Sequence, residues 1–158
     1  DSLARLAARL IAAGVAVQVV AMHPVEDDGE VARIVAAAPG TTAIKVSTPA
    51  EALTLFSVAR CVVSVRLHGC ILAARVGTGF AGLSYDPKVR GFLEQVGAPV
   101  FEAPVDDEEL LRVVSGSRPS VAAAVDLMTE RAERGVDELI ASLRSPASSR
   151  ALRRTDPD

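Results

Sequence analysis

The stretch on which the fold turns is Cys61-Val62-Val63-Ser64-Val65, followed by Arg66-Leu67-His68-Gly69 and then Cys70-Ile71-Leu72-Ala73-Ala74-Arg75-Val76. Its first five residues are a short run of β-branched and small apolar side chains, the pattern of a strand buried on both faces. Helical spacing resumes over residues 67–76, so Arg66 to Gly69 form a sharp turn from a strand into a helix.

Working outward, the same alternation recurs on both sides. Leu3, Leu6, Ala7, Leu10 and Ile11 repeat at helical spacing as far as Gly14, which is placed as a helix C-cap. Val15-Ala16-Val17-Gln18-Val19-Val20-Ala21 then reads as a buried strand. Residues 28–38 carry Val31, Ile34 and Val35 on one face and stop at Pro39-Gly40, after which residues 42–46 suit a short strand. Thr48-Pro49-Ala50-Glu51 combines a capping residue, a proline at the first helical position and a glutamate placed to close a capping box; it opens a helix to about Ala59. Beyond the central stretch, residues 80–84 form a fourth strand and Asp86-Pro87 caps a helix to about Val96. Val100-Phe101 is a short fifth strand, and residues 106–114 and 120–143 supply two last helices. Strands separated by single helices pair in parallel through right-handed crossovers. The expected fold class is therefore α/β, a three-layer Rossmann-like parallel sheet, as one domain over residues 1–143. Residues 144–158 are rich in Ser, Pro and Arg without periodicity and read as a mobile tail.

Composition narrows the function classes. The chain has 158 residues, of which 49% are hydrophobic and 23% charged, which suits one globular domain and excludes disorder for its bulk. The net charge of -3 gives no positive field for a polyanion, so nucleic acid is not an expected partner. Cys61 and Cys70 lie in apolar surroundings with no CxxC or Cys/His spacing; no metal site is expected, and a reducing cytoplasmic location fits. The longest weakly polar run, residues 10–22, is interrupted by Gly14 and Gln18 and is shorter than the roughly 20 residues of a spanning helix. The chain opens at Asp1 inside a helical pattern without an initiator Met, from which a missing N-terminal part is expected.

In an open parallel sheet, ligands collect beyond the carboxyl ends of the strands, where helix N-termini offer amide donors to anions. Three segments meet that rule: His23-Pro24-Val25-Glu26-Asp27, Arg66-Leu67-His68-Gly69 and Tyr85-Asp86-Pro87-Lys88. Arg66 and His68 are two residues apart and can face one cavity, with Gly69 allowing close backbone approach. A guanidinium grips a carboxylate or phosphate bidentately, and an imidazole can donate a hydrogen bond or a proton near neutral pH. The structural alternatives are an arginine paired to a carboxylate and a histidine bonded to a backbone carbonyl. Lys88, near a helix start, opposes the favourable charge distribution, a conflict that a bound anion relieves; otherwise it is a surface lysine. Asp86 reads first as an N-cap. Tyr85 either hydrogen-bonds a sugar or covers the core edge. His23, Glu26 and Asp27 could supply a base or bind a hydroxyl, although acidic loops are common.

Gly77-Thr78-Gly79-Phe80-Ala81-Gly82 matches GxGxxG, but it leaves a helix and enters a strand, the reverse of a dinucleotide site, so no NAD or FAD is expected. Arg144, Arg150, Arg153 and Arg154 lack apolar anchors and read as a solvated end.

Val62-Val63-Ser64-Val65-Arg66-Leu67-His68-Gly69, then Ile71-Leu72-Ala73-Ala74, then Leu83-Ser84-Tyr85-Asp86-Pro87-Lys88-Val89 resembles the polysaccharide pyruvyl transferase family, most closely its bacterial cell-wall branch. The likeness extends back through Met22-His23-Pro24 and Glu26-Asp27 and forward to Phe92 and Gly97, to about residue 115. It departs at Gly79, where the family usually has proline. The resemblance implies the C-terminal half of a fold like that of the GT-B glycosyltransferases, working with an N-terminal half across a cleft and uncertain to act without it. It implies transfer of the enolpyruvyl unit of phosphoenolpyruvate to a cell-wall or surface polysaccharide sugar, leaving a pyruvate ketal that anchors S-layer proteins. It further implies a sugar acceptor, free or lipid-linked, and an enzyme expected in the cytoplasm, including the inner face of the membrane. By resemblance Arg66 and His68 are donor-binding and catalytic positions, His68 being the candidate acid. Lys88, Tyr85, Asp86, Gly69 and His23 are the candidate substrate-binding residues. The donor is a substrate, and no cofactor is expected.

Two other readings share the pattern. A GT-B-type glycosyltransferase half would bind a nucleotide sugar through the same architecture. A non-catalytic interaction module would use the stripe Val121, Val125, Met128, Ala132, Val136, Leu139, Ile140 and Leu143, which packing on the domain's own sheet explains equally well.

Overall fold

The computed structural model describes residues 2–102, 104–116 and 122–144. Helices and strands alternate in the order α1 (Ser2–Ala12), β1 (Gln18–Ala21), α2 (Pro24–Ala37), β2 (Thr42–Lys45), α3 (Pro49–Ser57), β3 (Val62–Ser64), α4 (Leu67–Arg75), β4 (Phe80–Leu83), α5 (Pro87–Val96), β5 (Val100–Phe101), α6 (Asp107–Ser115) and α7 (Ala122–Arg144). The chain is mixed α/β. By its contacts it divides into Asp1–Ala122 and Ala123–Asp158.

Among the described residues every strand pairing is parallel, as expected where a helix separates each strand from the next. The strands form two hydrogen-bonded groups, β1-β2 and β3-β4-β5. In register, Gln18 pairs with Thr42, Val62 with Phe80, and Gly82 with Val100.

The alternation of β4 shows how the core is built. Ala81 and Leu83 cluster with Leu6 and Leu10 of α1, Phe101 of β5 and Leu110 of α6. Phe80 and Gly82 point the other way, where the Phe80 ring stacks on Phe92 of α5 at a centroid distance of 6.3 Å and Gly82 lies under Leu93. A Cβ at Gly82 would come within 2.2 Å of the fully buried Leu93, so this strand position must lack a side chain. Helices thus cover both faces of β4, and all four of its residues are buried. Burial of Leu93 and Leu110 contributes roughly 1.5–3 kcal/mol each.

Helix α1 spans both strand groups. Leu6 and Leu10 face β4 and β5, while Ala4 and Ala7 pack with Ile34 and Ala38 of α2 and with Val17 and Val19. Its amphipathic repeat is what joins the two groups in one core. Ion pairs from Arg5 to Asp107 and from Arg9 to Glu108 tie its exposed side to α6.

Several boundaries correct the sequence reading. β1 begins at Gln18 rather than Val15, and Val15 is exposed. Gly14 ends α1 at φ +77°, Val15 N–H donates to the Leu10 carbonyl, and pairing with β2 starts only at Gln18. Residues 61–65 are not buried throughout: Val62 and Val63 are half-buried and Ser64 alone in β3 is buried, because among the described residues β3 pairs with β4 and with no second strand. The GxGxxG segment does connect α4 to β4, with Gly77 in the left-handed region.

Helix α7 is a single 23-residue helix on which Leu127, Val136, Leu139, Ile140 and Leu143 are exposed. Val121 of its expected stripe and the tail beyond residue 144 lie outside the described residues. No described helix is long and apolar enough to cross a membrane.

Candidate functional site

The carboxyl ends of β1 and β3 are joined by one arginine. β3 ends at Ser64, whose hydroxyl accepts from the Arg66 N–H at 3.1 Å and donates to the Arg66 carbonyl at 2.8 Å. That carbonyl also receives the N–H groups of Gly69 and Cys70, so Arg66 is the N-cap of α4. Gly69 makes the turn possible: a Cβ there would lie 2.2 Å from Ser64 Oγ, 2.9 Å from Ser64 Cβ and 3.4 Å from Met22 Sδ. Only a residue without a side chain lets α4 start this close to both strand ends.

With its backbone fixed, Arg66 reaches across to α2. Its Nε and Nη2 donate to Asp27 Oδ1 at 3.1 and 2.5 Å, and Nη2 also meets Glu26 Oε2 at 2.9 Å. The other oxygen of Asp27 accepts the backbone N–H groups of Met22 at 3.0 Å and His23 at 2.8 Å. One carboxylate therefore receives four hydrogen bonds, two from the end of β1 and two from the end of β3. Burial alone would raise the Asp27 pKa, but the His23 N–H, the Arg66 guanidinium and the Met22 N–H together hold it below the usual carboxylate value. The bonds to Asp27 and Glu26 in turn raise that of Arg66, despite partial burial.

The two acidic partners differ. Asp27 is mostly covered, with 17% of its side chain exposed, whereas Glu26 is 60% exposed and makes one bond to Arg66. Among the described residues Arg66 Nη1 has no partner, so one edge of the guanidinium is committed and one nitrogen is free.

The remaining candidates lie at the same carboxyl edge. His68 is exposed in the first turn of α4, two residues from Arg66. Unlike α3 and α5, α4 has no side-chain cap, so the Leu67 and His68 N–H groups are open to an anion. His23 is the exposed N-cap of α2, its Nδ1 3.9 Å from Glu26 Oε2. Because Ser64 pairs with Gly82, the chain leaves β4 beside the exit of β3. Asp86 is indeed an N-cap, accepting from Lys88 N at 2.8 Å. The Lys88 ammonium is exposed and without an ion-pair partner among the described residues. Tyr85 is 75% exposed, so it does not cover the core edge.

Arg66 thus makes the carboxylate pair that its residue type also allowed, and the geometry adds what the spacing did not foretell, a free Nη1. Ser64, which anchors Arg66 by its backbone, had no recognisable signal beyond being the one polar residue in an apolar strand. Cys70 is fully buried, and burial pushes its thiol up to about 11 against the opposing Ser64 hydrogen bond, which makes it a core residue rather than a nucleophile.

Comparison with known protein families gives a match. The model of the family described as polysaccharide pyruvyl transferase matches residues 1–87. The matched stretch takes in His23, Glu26, Asp27, Arg66, His68, Gly69, Tyr85 and Asp86 and stops before Lys88. No curated protein and no solved structure matches the chain.

Proposed function

The chain belongs to the polysaccharide pyruvyl transferase family, and from that premise we propose that it takes phosphoenolpyruvate as donor and forms a pyruvate ketal on a cell-wall or surface glycan. The observation that carries the reading is the uncapped start of α4, where a fixed Arg66 and an exposed His68 flank free amide donors. Phosphoenolpyruvate bears a carboxylate and a phosphate. Arg66 Nη1, the first amides of α4 and the Lys88 ammonium are the groups that neutralise them.

The reaction is an addition to C2 followed by replacement of phosphate at the same carbon. A sugar hydroxyl adds to C2 of the enol while His68 gives a proton to C3, which becomes the methyl group, and the hydroxyl proton passes back to the imidazole. The C2–O bond to phosphate then breaks, inorganic phosphate leaves, and a second hydroxyl of the same sugar closes on C2 with loss of its proton. The sum is phosphoenolpyruvate and a diol giving a ketal and phosphate, with no change of oxidation state. Tyr85, Asp86 and His23 lie along the same edge and are assigned to the acceptor side, with Gly69 as the close-approach position.

The same reading takes β1-β2 and β3-β4-β5 as successive parts of one doubly wound, Rossmann-like layer, half of a GT-B-like pair. Support comes from α1, which covers both groups, and from Arg66, which joins their carboxyl ends. In such a pair a second half would supply the opposite cleft wall. Phosphoenolpyruvate and a lipid-linked sugar meet in the cytoplasm at the inner face of the membrane, and the ketal adds a fixed carboxylate by which S-layer proteins can be held.

Phosphate release from phosphoenolpyruvate, measured with a glycan acceptor in the full-length enzyme, tests the reading. His68→Ala is expected to lower turnover by about 10²-fold or more, the usual scale of a positioned proton donor, with the thermal midpoint retained. Wild-type turnover by His68→Ala would remove His68 from the mechanism.

A further inference from the structure

Resting on the donor reading above, we propose that Asp27 is the positioning residue for Arg66: it holds the Nε–Nη2 edge at the exit of β1 so that Nη1 is presented to the donor anion. The geometry separates the two acidic neighbours. Asp27 is itself fixed, since its second oxygen is taken by the Met22 and His23 N–H groups, and it binds Arg66 through both Nε and Nη2. A guanidinium held by two of its nitrogens cannot rotate about its terminal bonds, so the direction of Nη1 is set. Glu26 has no such anchoring. It touches only Nη2, is 60% exposed, and stands where an anion approaching the guanidinium would compete with it.

These roles give opposite signs. If both carboxylates acted only through charge, removing either would leave Arg66 less neutralised and strengthen anion binding. Positioning demands that loss of Glu26 strengthen binding and loss of Asp27 weaken it. Calorimetric titration of the full-length enzyme with phosphoenolpyruvate reads both. Glu26→Gln is expected to bind more tightly than wild type, and Asp27→Ala about tenfold or more weakly, the scale of one charge-assisted hydrogen bond. Arg66→Ala combined with Asp27→Ala is expected to bind no more weakly than Arg66→Ala alone, because Asp27 acts through Arg66; a purely structural contribution would add.

Tighter or unchanged binding by a folded Asp27→Ala variant overturns the positioning role while leaving the donor reading intact. Absence of binding by the wild type overturns the donor reading and the proposal with it. Should Asp27→Ala not fold, the Arg66 side-chain nitrogen resonances of the wild type decide the matter. The Nε–H is expected to exchange slowly and to stay unshifted when phosphoenolpyruvate moves the Nη1 signal. A shift of Nε–H on binding, showing that the ligand displaces Asp27, would overturn the proposal.

Discussion

Arg66 and Asp27 show how little chain is needed to fix a guanidinium at a strand end. Ser64 fixes the arginine backbone, Asp27 fixes its side chain, and each uses atoms that would otherwise need water at a strand end. Because the Asp27 pKa is depressed in the folded chain, its contribution to stability is present above the unfolded carboxylate value of about 3.9 and is lost as pH falls through the lower folded value. Wild type is therefore expected to be more stable than Asp27→Asn at neutral pH, with the difference shrinking below about pH 4. Thermal midpoints of the two proteins between pH 7 and pH 2 check this, and a constant difference would contradict it. Cys70 offers a second test. With no exposure and its thiol pushed up to about 11, it is expected to resist a thiol reagent at pH 8 until the chain unfolds. Mass spectrometry of the labelled protein locates the modified cysteine. At this scale the sequence made Arg66 and His68 visible because they sit together at a strand-to-helix turn. It left Asp27 and Glu26 as ordinary loop acids, because a pairing across about 40 positions leaves no local trace and depends on where β1 and β3 end.

The elements follow local chemistry closely where capping decides. Thr48 caps α3 by accepting the Glu51 N–H, as its TPAE pattern indicates, and the Glu51 carboxylate returns to the N–H of Ser47, one residue short of an ordinary capping box. Asp86 and Asp106 cap α5 and α6, and Gly97 ends α5 at φ +67°. What periodicity could not supply was the depth of each strand. β3 and β4 read alike as apolar runs, yet β4 is wholly buried between β3 and β5 while β3 is half-buried, a difference set by sheet position. Two glycines in adjacent helices test the packing at the α4 start. Gly69→Ala is expected to destabilise by about 1–3 kcal/mol, since its Cβ must push against Ser64 at 2.2 Å. Gly91→Ala, on the exposed side of α5 with nothing within 4 Å, is expected to be neutral or stabilising by up to about 1 kcal/mol. Urea midpoints of both variants provide the comparison, and equal effects would mean that α4 can shift freely.

Across the whole molecule, parallel pairing and helix alternation bring three loops to one edge, and those loops hold both histidines, the one tyrosine and the arginine clamp. The alternation was legible because each strand lies between clear helical repeats. The division into two hydrogen-bonded groups was not, since β1 and β3 have no sequence feature that says whether they bond to one another. Family membership rests on residues 1–87, which include the clamp and the start of α4 but not Lys88. The central claim proposed on that footing is that the carboxyl edge holds phosphoenolpyruvate. Titration of the full-length enzyme with phosphoenolpyruvate, and separately with a uridine nucleotide sugar, tests that claim most directly. Saturable binding of phosphoenolpyruvate that Arg66→Ala weakens, with none of the nucleotide sugar, is the result expected. Tight binding of the nucleotide sugar, with no heat from phosphoenolpyruvate, would contradict the account and make this edge a glycosyltransferase donor site.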